Sequence, residues 1–341
     1  YIRVNIITSL ATLLIKSQHL YSKDSIKYKT CNPGPELDQL SKENPKLFEY
    51  VKKIISLKDE IDDMKTGDIL ALNLGEYIEA VWNLTFVQET YKWRRYFYVR
   101  DNMEYYCRHA DVIFKENYMP SRDDMLRAQI LGSGSASTVL EIPYGDAISK
   151  IELWHFAGQR SERQKWIHQF ADVSGIIFVA ALDHYCKVLF EDETVNAIHE
   201  AIALFESTIN LEYFNKAPKI LFLNRENAFR NSIKLGLNLD IPFTNNSDWT
   251  DPEFQWNPND NYTPTTKDET ESDKCFRKSL EFIENIFKSK YKPKSIDQYD
   301  TKLELHVHVI NDYDDDTMKA AIMDVNNIII RTSLMRFGLM K

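Results

Sequence analysis

The sequence predicts an α/β protein joined to an all-helical region. Residues 1 to about 117 carry apolar residues at helical spacing, helix after helix. From about 118 onward, buried apolar runs alternate with helical stretches, which argues for a mostly parallel sheet with helices on both faces. Composition permits both parts: 341 residues that are 43% hydrophobic and 27% charged can build one large domain or two ordinary ones, each with a sizeable core.

Ile2, Ile6, Leu10, Leu13 and Leu14 line one face of a helix over Tyr1–Gln18. No helix-start signal and no initiating Met precede it. The chain therefore reads as a fragment whose N-terminus, with any lipidation signal, lies upstream. A polar loop with Pro33 and Pro35 is expected next, then helices over Pro45–Ser56, Asp68–Leu84, Val87–Tyr91 and Asp101–Phe114. The aromatic residues dense between Trp82 and Tyr106 fit a helical-bundle core. In the second part, strand-like runs cover Thr138–Ile142, Ile148–Phe156, Gly175–Leu182, Lys219–Leu223 and Lys302–Ile310. Helices fit over Arg163–Gln169, Glu191–Ile209, Lys274–Ser289 and Thr317–Arg331. The stretch 244–272, with Trp249 and Trp256, is polar, acidic and Pro-bearing, as a surface insertion is.

A formal net charge of −9 argues against a general nucleic-acid binder, since phosphate binding draws on a surplus of Lys and Arg. The longest apolar run, Gly175–Leu182, is far short of the ~20 residues that span a bilayer. The four cysteines, Cys31, Cys107, Cys186 and Cys275, have neither CxxC nor metal spacing and are expected as free thiols in a reducing compartment.

Parallel sheets bind ligands at the carboxyl ends of their strands. The segment His155–Phe170, HFAGQRSERQKWIHQF, follows one strand directly. The segment from Lys219, KILFLNREN, ends another in an Asn-basic-x-Asn tetrad. With Ala181–Glu200 (ALDHYCKVLFEDETVNAIHE), the NYMPSRDDMLRA stretch and the terminal GL, this wording resembles the alpha subunits of heterotrimeric G proteins over nearly the whole chain. The resemblance implies a Ras-like GTPase domain, residues 118–341 without its first strand and P-loop, and an inserted helical domain, residues 1–117. It implies GTP/GDP and Mg²⁺ as ligands. It implies a beta-gamma dimer, a G-protein-coupled receptor and an unknown effector as partners, at the cytoplasmic face of the plasma membrane. The GSGSAST stretch Gly132–Thr138 lacks the Lys of a P-loop and precedes a strand, so it is expected as a switch loop.

Carried over position by position, Gln159 stands where the family orients the attacking water. Gln129 stands where the family has its cis arginine, and an amide does not replace a guanidinium fork. Leu126 and Arg127, just before it, fall on nucleotide-facing positions by resemblance, although Arg127 reads better as a surface arginine that points elsewhere. Gly132 replaces the Mg²⁺-ligating Thr, with Ser133 beside it, and His155 replaces the Asp that holds Mg²⁺ through water. Ala157 and Gly158 occupy the Gly-Gly pair before Gln159. Asn224, Arg225 and Asn227 occupy the guanine-reading tetrad, and Asp312 takes the place of a small Ala in the last base-contacting loop. Partner-facing positions are better kept: Arg160, Glu162, Arg163, Lys165, Trp166, Ile167 and His168 for beta-gamma and effectors, and Leu334, Phe337 and Leu339 on the receptor-contacting helix. Two functions are thus open. One is a GTP-hydrolysing signal transducer. The other is a pseudo-GTPase binding module with weak or absent nucleotide turnover.

Overall fold

The computed structural model describes residues 1–128, 132–170, 173–237, 239, 242–243, 270–294, 303–311 and 313–339. The chain divides into two compact units, Tyr1–Ile130 and Leu131–Lys341.

The described part of the first unit is helical. Its α1 (Ile2–Lys23) buries Ile6, Leu10, Leu13 and Leu14, the stripe expected from their spacing. The segment expected as a loop forms α2 (Gly34–Glu43), with Pro35 in its first turn. Proline is tolerated there because its missing N–H would have had no helical partner. Glu36 of α2 accepts backbone N–H bonds from Thr85 at 3.0 Å and Phe86 at 3.2 Å, so it caps a helix distant in sequence. α3 (Pro45–Ser56) starts where Asn44 accepts a bond from Leu47 N. The helix expected over Asp68–Leu84 breaks into α4 (Thr66–Ala71) and α5 (Gly75–Trp82), because Asn73 turns left-handed at φ 51°. α6 (Thr85–Lys92) follows. Beyond another left-handed residue, Asn102, come α7 (Met103–Arg108) and α8 (Ala110–Ile113) in place of one helix. α9 (Arg122–Arg127) opens on a reciprocal capping box between Ser121 and Asp124. Trp82, Phe86, Phe97 and Tyr106 are buried in the common core, which is the role expected for the aromatic-rich stretch.

The second unit contains the expected parallel sheet and, among the described residues, an antiparallel pair beside it in sequence. β1 (Ser135–Tyr144) and β2 (Ala147–Phe156) form a separate two-stranded antiparallel hairpin. The reason is local: only Gly145 and Asp146 join the strands, Gly145 has φ +58°, and so short a link permits only antiparallel pairing. The parallel sheet has the order β3 (Ile176–Ala181), β4 (Lys219–Asn224), β5 (Leu305–Val309). The helix expected over Arg163–Gln169 is a 3₁₀ segment over Arg160–Gln169. α10 (Ala197–Ile209) begins later than expected because Asn196 caps Ile198 N and the preceding backbone bridges Val188 to Asn196. α11 (Glu226–Lys234), α12 (Glu271–Lys290) and α13 (Asp315–Arg336) complete the unit. Phe205, Phe229, Phe276 and Phe287 fill one core of the sheet, and Phe222, Val325 and Ile328 fill another.

Of the polar stretch at 244–272, residues up to 269 lie outside the described residues, and the rest form the cap and start of α12. All four cysteines are free, and no described helix is long and apolar enough to cross a membrane.

Candidate functional site

The carboxyl ends of β3, β4 and β5 meet in register. Ala181 pairs with Asn224 and Leu223 with Val309. Ile310 N then bonds to Leu223 O at 2.9 Å, and Glu226 N to Ile310 O at 3.3 Å. Asn224, Arg225 and Asn227 therefore sit beside Ile310 and Asn311; Asp312 lies outside the described residues. Asn224 Oδ1 accepts the Arg225 N–H at 2.7 Å, which stabilises the left-handed turn at Arg225 (φ 67°).

Arg225 does not end free. Its Nη1 lies 3.5 Å from Asp183 Oδ2, just beyond β3, and Lys187 Nζ lies 2.6 Å from the same oxygen. Asp183 is buried, and its Oδ1 has no hydrogen-bond partner among the described residues. The tetrad's cation is thus engaged by an internal carboxylate. Asn227, on the first turn of α11, is exposed. Glu226 instead pairs with Arg230 at 3.0 Å, and Arg230 also reaches Asp273 at 3.1 Å.

The segment after β2 is tied down at several points. Ala157 N bonds to Gly134 O at 3.0 Å, and Ala157 O accepts Trp166 Nε1 at 3.1 Å. Glu162 accepts the Gly134 N–H at 2.7 Å and is ion-paired with Lys165 at 2.8 Å. These contacts hold its carboxyl below the usual carboxylate range, Lys165 contributing most. The loop expected as a switch is therefore latched to the 3₁₀ segment at Gly134, where φ is +74°. Arg160 and Arg163 converge on Glu200 in the first turn of α10, each at 2.6 Å, and Arg163 Nε also bonds to Gly158 O at 3.1 Å. Arg160 N donates to Glu191 at 2.9 Å. The Gln159 side chain is half-buried and makes no hydrogen bond within the described residues.

Other expected positions fall differently. Leu126 and Arg127 belong to α9 in the first unit, where the Arg127 guanidinium lies 4.7 Å over the Tyr105 ring. Gln129 lies outside the described residues, as do the side chains of Ile167 and His168. Leu334, Phe337 and Leu339 end α13 in a Schellman turn, with Leu339 N bonded to Leu334 O at 2.9 Å and Gly338 left-handed at φ 69°. Phe337 is 79% exposed and Leu339 74% exposed.

Two of the residues at the metal positions do not fit Mg²⁺: Gly132 has no side chain and His155 offers nitrogen where a hard cation takes oxygen, and the exposed Ser133 carries the hydroxyl between them in sequence. Among the described residues no group of three or more His, Cys, Asp or Glu converges to hold a metal.

The sequence profile of the G-protein alpha subunit family matches residues 1–329. The chain belongs to that family. Among similar proteins, a guanine nucleotide-binding protein subunit alpha of Pyricularia oryzae is 31% identical over 301 residues, covering 88% of this chain and 74% of that protein. The guanine nucleotide-binding protein alpha-1 subunit of Neurospora crassa is 32% identical over 273 residues, 80% of this chain and 67% of its own. The G-protein complex alpha subunit gpaA of Aspergillus fumigatus matches to the same extent, with 32% identity over 273 residues. Membership of the G-alpha family carries a Ras-like GTPase domain and a helical domain with it.

In this alpha subunit, the residues that sequence reasoning did not single out are Asp183, Lys187, Glu191 and Glu200. The signal for Glu200 was the excess of cations in RSER, which needs an acidic partner once folded. Its carboxyl is held below its ordinary value of 4.5 by Arg160 first, then by Arg163. A depressed carboxylate contributes stability above its unfolded value and loses it as pH falls through the lower folded one. Glu200→Gln is expected to loosen the 160–166 segment by about 1–2 kcal/mol, after discounting for partial exposure. Trypsin should then cleave at Arg160 and Arg163 about tenfold faster at neutral pH. An unchanged digestion time course would show that Glu200 does not hold the segment.

Proposed function

We propose that this chain is a signal-transducing alpha subunit that presents a partner-binding surface while binding guanine nucleotide weakly and turning it over slowly or not at all. The observation that carries this reading is a contrast within the second unit. The Gly158–Trp166 surface is held by contacts internal to the protein, Glu200 and Glu162 taking Arg160, Arg163, Lys165 and the Gly134 N–H. The tetrad cation Arg225 is engaged by Asp183. Partner binding then depends on ion pairs rather than on a γ-phosphate. The similar proteins from Pyricularia and Neurospora are named as guanine nucleotide-binding, which supports a nucleotide site of common origin.

The proposed partners are a beta-gamma dimer on the 160–168 face, a receptor at Phe337 and Leu339, and an effector, at the cytoplasmic face of the plasma membrane. Pull-down with purified beta-gamma tests the first. Lys165→Ala removes an exposed cation and is expected to weaken association roughly tenfold, as a contact worth more than about 1 kcal/mol does, with nucleotide affinity unchanged. Absence of beta-gamma association in every nucleotide state would refute the reading. A Mg²⁺ titration of GTP-analogue affinity is expected to be nearly flat, because Gly132 and His155 supply no oxygen ligand. A steep gain with Mg²⁺ would contradict it.

A second reading, a hydrolysing GTPase, is favoured by Gln159, whose side chain has no hydrogen bond among the described residues and is available to orient a water. Single-turnover kinetics separate the two.

A further inference from the structure

The first unit carries a patch at odds with the acidic whole. Lys27 Nζ lies over three rings at once, 5.2 Å from Tyr28, 5.6 Å from Trp93 and 5.6 Å from Tyr96. The Arg95 guanidinium lies 5.0 Å over Trp93 and 4.9 Å over Tyr96. Tyr28 meets Trp93 edge-on at 4.9 Å, and Trp93 stacks with Tyr96 at 6.1 Å, so the rings form one platform. Arg94 lies 4.3 Å over the neighbouring Tyr91. Lys23 and Lys29 flank the 24–28 turn, and Ile26 at its tip is 90% exposed.

Lys27, Arg94 and Arg95 are held by aromatic faces rather than by acids. Among the described residues, none of Lys23, Lys27, Lys29, Arg94 and Arg95 has a carboxylate within 4.0 Å, whereas Lys52, Lys92 and Arg108 of the same unit each do. The nearby acids are occupied: Asp24 accepts the Ile26 and Lys27 N–H groups, and Glu89 pairs with Lys92. A ring quadrupole positions a cation without cancelling its charge. The field of the patch therefore stays available to an anion, although the chain as a whole is −9.

We propose that this basic-aromatic patch docks the first unit on an anionic membrane surface. Charge complementarity selects an anionic partner. The apolar tip Ile26 and the half-exposed Tyr96 select a headgroup boundary over an aqueous acidic groove, because Tyr and Trp rings favour that boundary and an aliphatic tip gains by leaving water there. Each Lys or Arg near such a surface strengthens binding roughly fivefold, and the attraction fades within a Debye length, so a local patch acts despite the net charge.

The test is co-sedimentation of the bacterially expressed full chain, which bears no lipid, with vesicles of phosphatidylcholine alone or one-third phosphatidylserine. The chain is expected to bind only the phosphatidylserine vesicles and to release them at high salt. Lys27→Glu and Arg95→Glu should each weaken binding roughly tenfold or more, since a reversal counts twice. Ile26→Asp should also weaken it. Lys52→Glu, an equal change in net charge at an ion-paired lysine, should leave it unaltered. Thermal melts of the variants check that folding is intact, above all for the part-buried Arg95. Absence of phosphatidylserine-dependent binding overturns the proposal, and so does an equal loss in Lys52→Glu. Capture by immobilised polyglutamate that Lys27→Glu abolishes, with no vesicle binding, would assign the patch to an acidic protein instead.

Discussion

Single-turnover hydrolysis of GTP by this chain is expected to run roughly 10³- to 10⁵-fold below that of an alpha subunit with arginine at the position of Gln129. That magnitude is the general one for GTPases, alpha subunits among them, with and without such an arginine. The chemical reason is charge. The transferring phosphoryl group spreads negative charge over its oxygens, and a guanidinium answers it with parallel N–H donors, whereas an amide offers one weak donor pair. Arg127 is no substitute, because its guanidinium is stacked on Tyr105 within its own unit and its carbonyl accepts the Asn102 amide at 3.4 Å. Gln159 in the proposed water-positioning role would not neutralise that charge. Gln129→Arg is expected to recover only part of the loss, since Gly132 and His155 still supply no metal-holding oxygen. The measurement is phosphate release from pre-bound GTP in one turnover. A wild-type rate equal to that of an ordinary alpha subunit would remove the case for a pseudo-GTPase.

The elements most legible in the sequence are those whose order depends on local pattern. β4 carries an apolar run buried along its length, as a central strand does, while β3, equally apolar in wording, leaves Val179 exposed, and their ends at Ala181 and Asn224 mark the candidate site. α1 announced itself by its stripe. The hairpin was legible as strands, but that it stays unpaired with the parallel sheet among the described residues rests on which edges pair, and no residue within it states that. α2 was hidden because Pro33 and Pro35 signal a loop and a helix start equally well. What decided between them was Glu36, whose carboxylate finds Thr85 N and Phe86 N only after folding. The break at Asn73 is a single left-handed residue within an otherwise helical run, whereas Asn102 turns left-handed at the start of α7 and the α7–α8 break falls at His109, which keeps a negative φ. The site divides in the same way. The cations Arg160 and Arg163 stood out in the wording RSER, but their acid, Glu200, is set by the packing of α10. Asp183 looked like an ordinary polar residue after a strand. Its pairing with Arg225 needs the parallel register that brings Ala181 opposite Asn224.

That pairing underlies the second large effect: GDP is expected to bind no more than about tenfold more tightly than XDP, where a site built on buried polar matching discriminates by about 10⁴ or more. Guanine presents N1–H and a 2-amino group, two donors that call for a carboxylate. Asn227 offers one acceptor and one amide NH₂, so one donor meets a donor. Xanthine has a carbonyl in place of the 2-amino group, and the same NH₂ then finds an acceptor. The second part of the loss is Arg225. A cation lying flat on a purine stabilises either base, but Asp183, with Lys187 on the same oxygen, draws this one toward the end of β3. Both bases therefore bind weakly, and the preference disappears with the affinity. Asn227→Asp is expected to restore a guanine preference of roughly tenfold to a hundredfold by returning two acceptors. Absolute affinity should remain low, because the Arg225–Asp183 pair is untouched by the substitution. Competition of GDP and XDP against a fluorescent nucleotide measures both quantities on the wild type and the variant. A hundredfold preference for GDP in the wild type would mean that Asn227 does not face the base, and that the exposed first turn of α11 is not where the base is read.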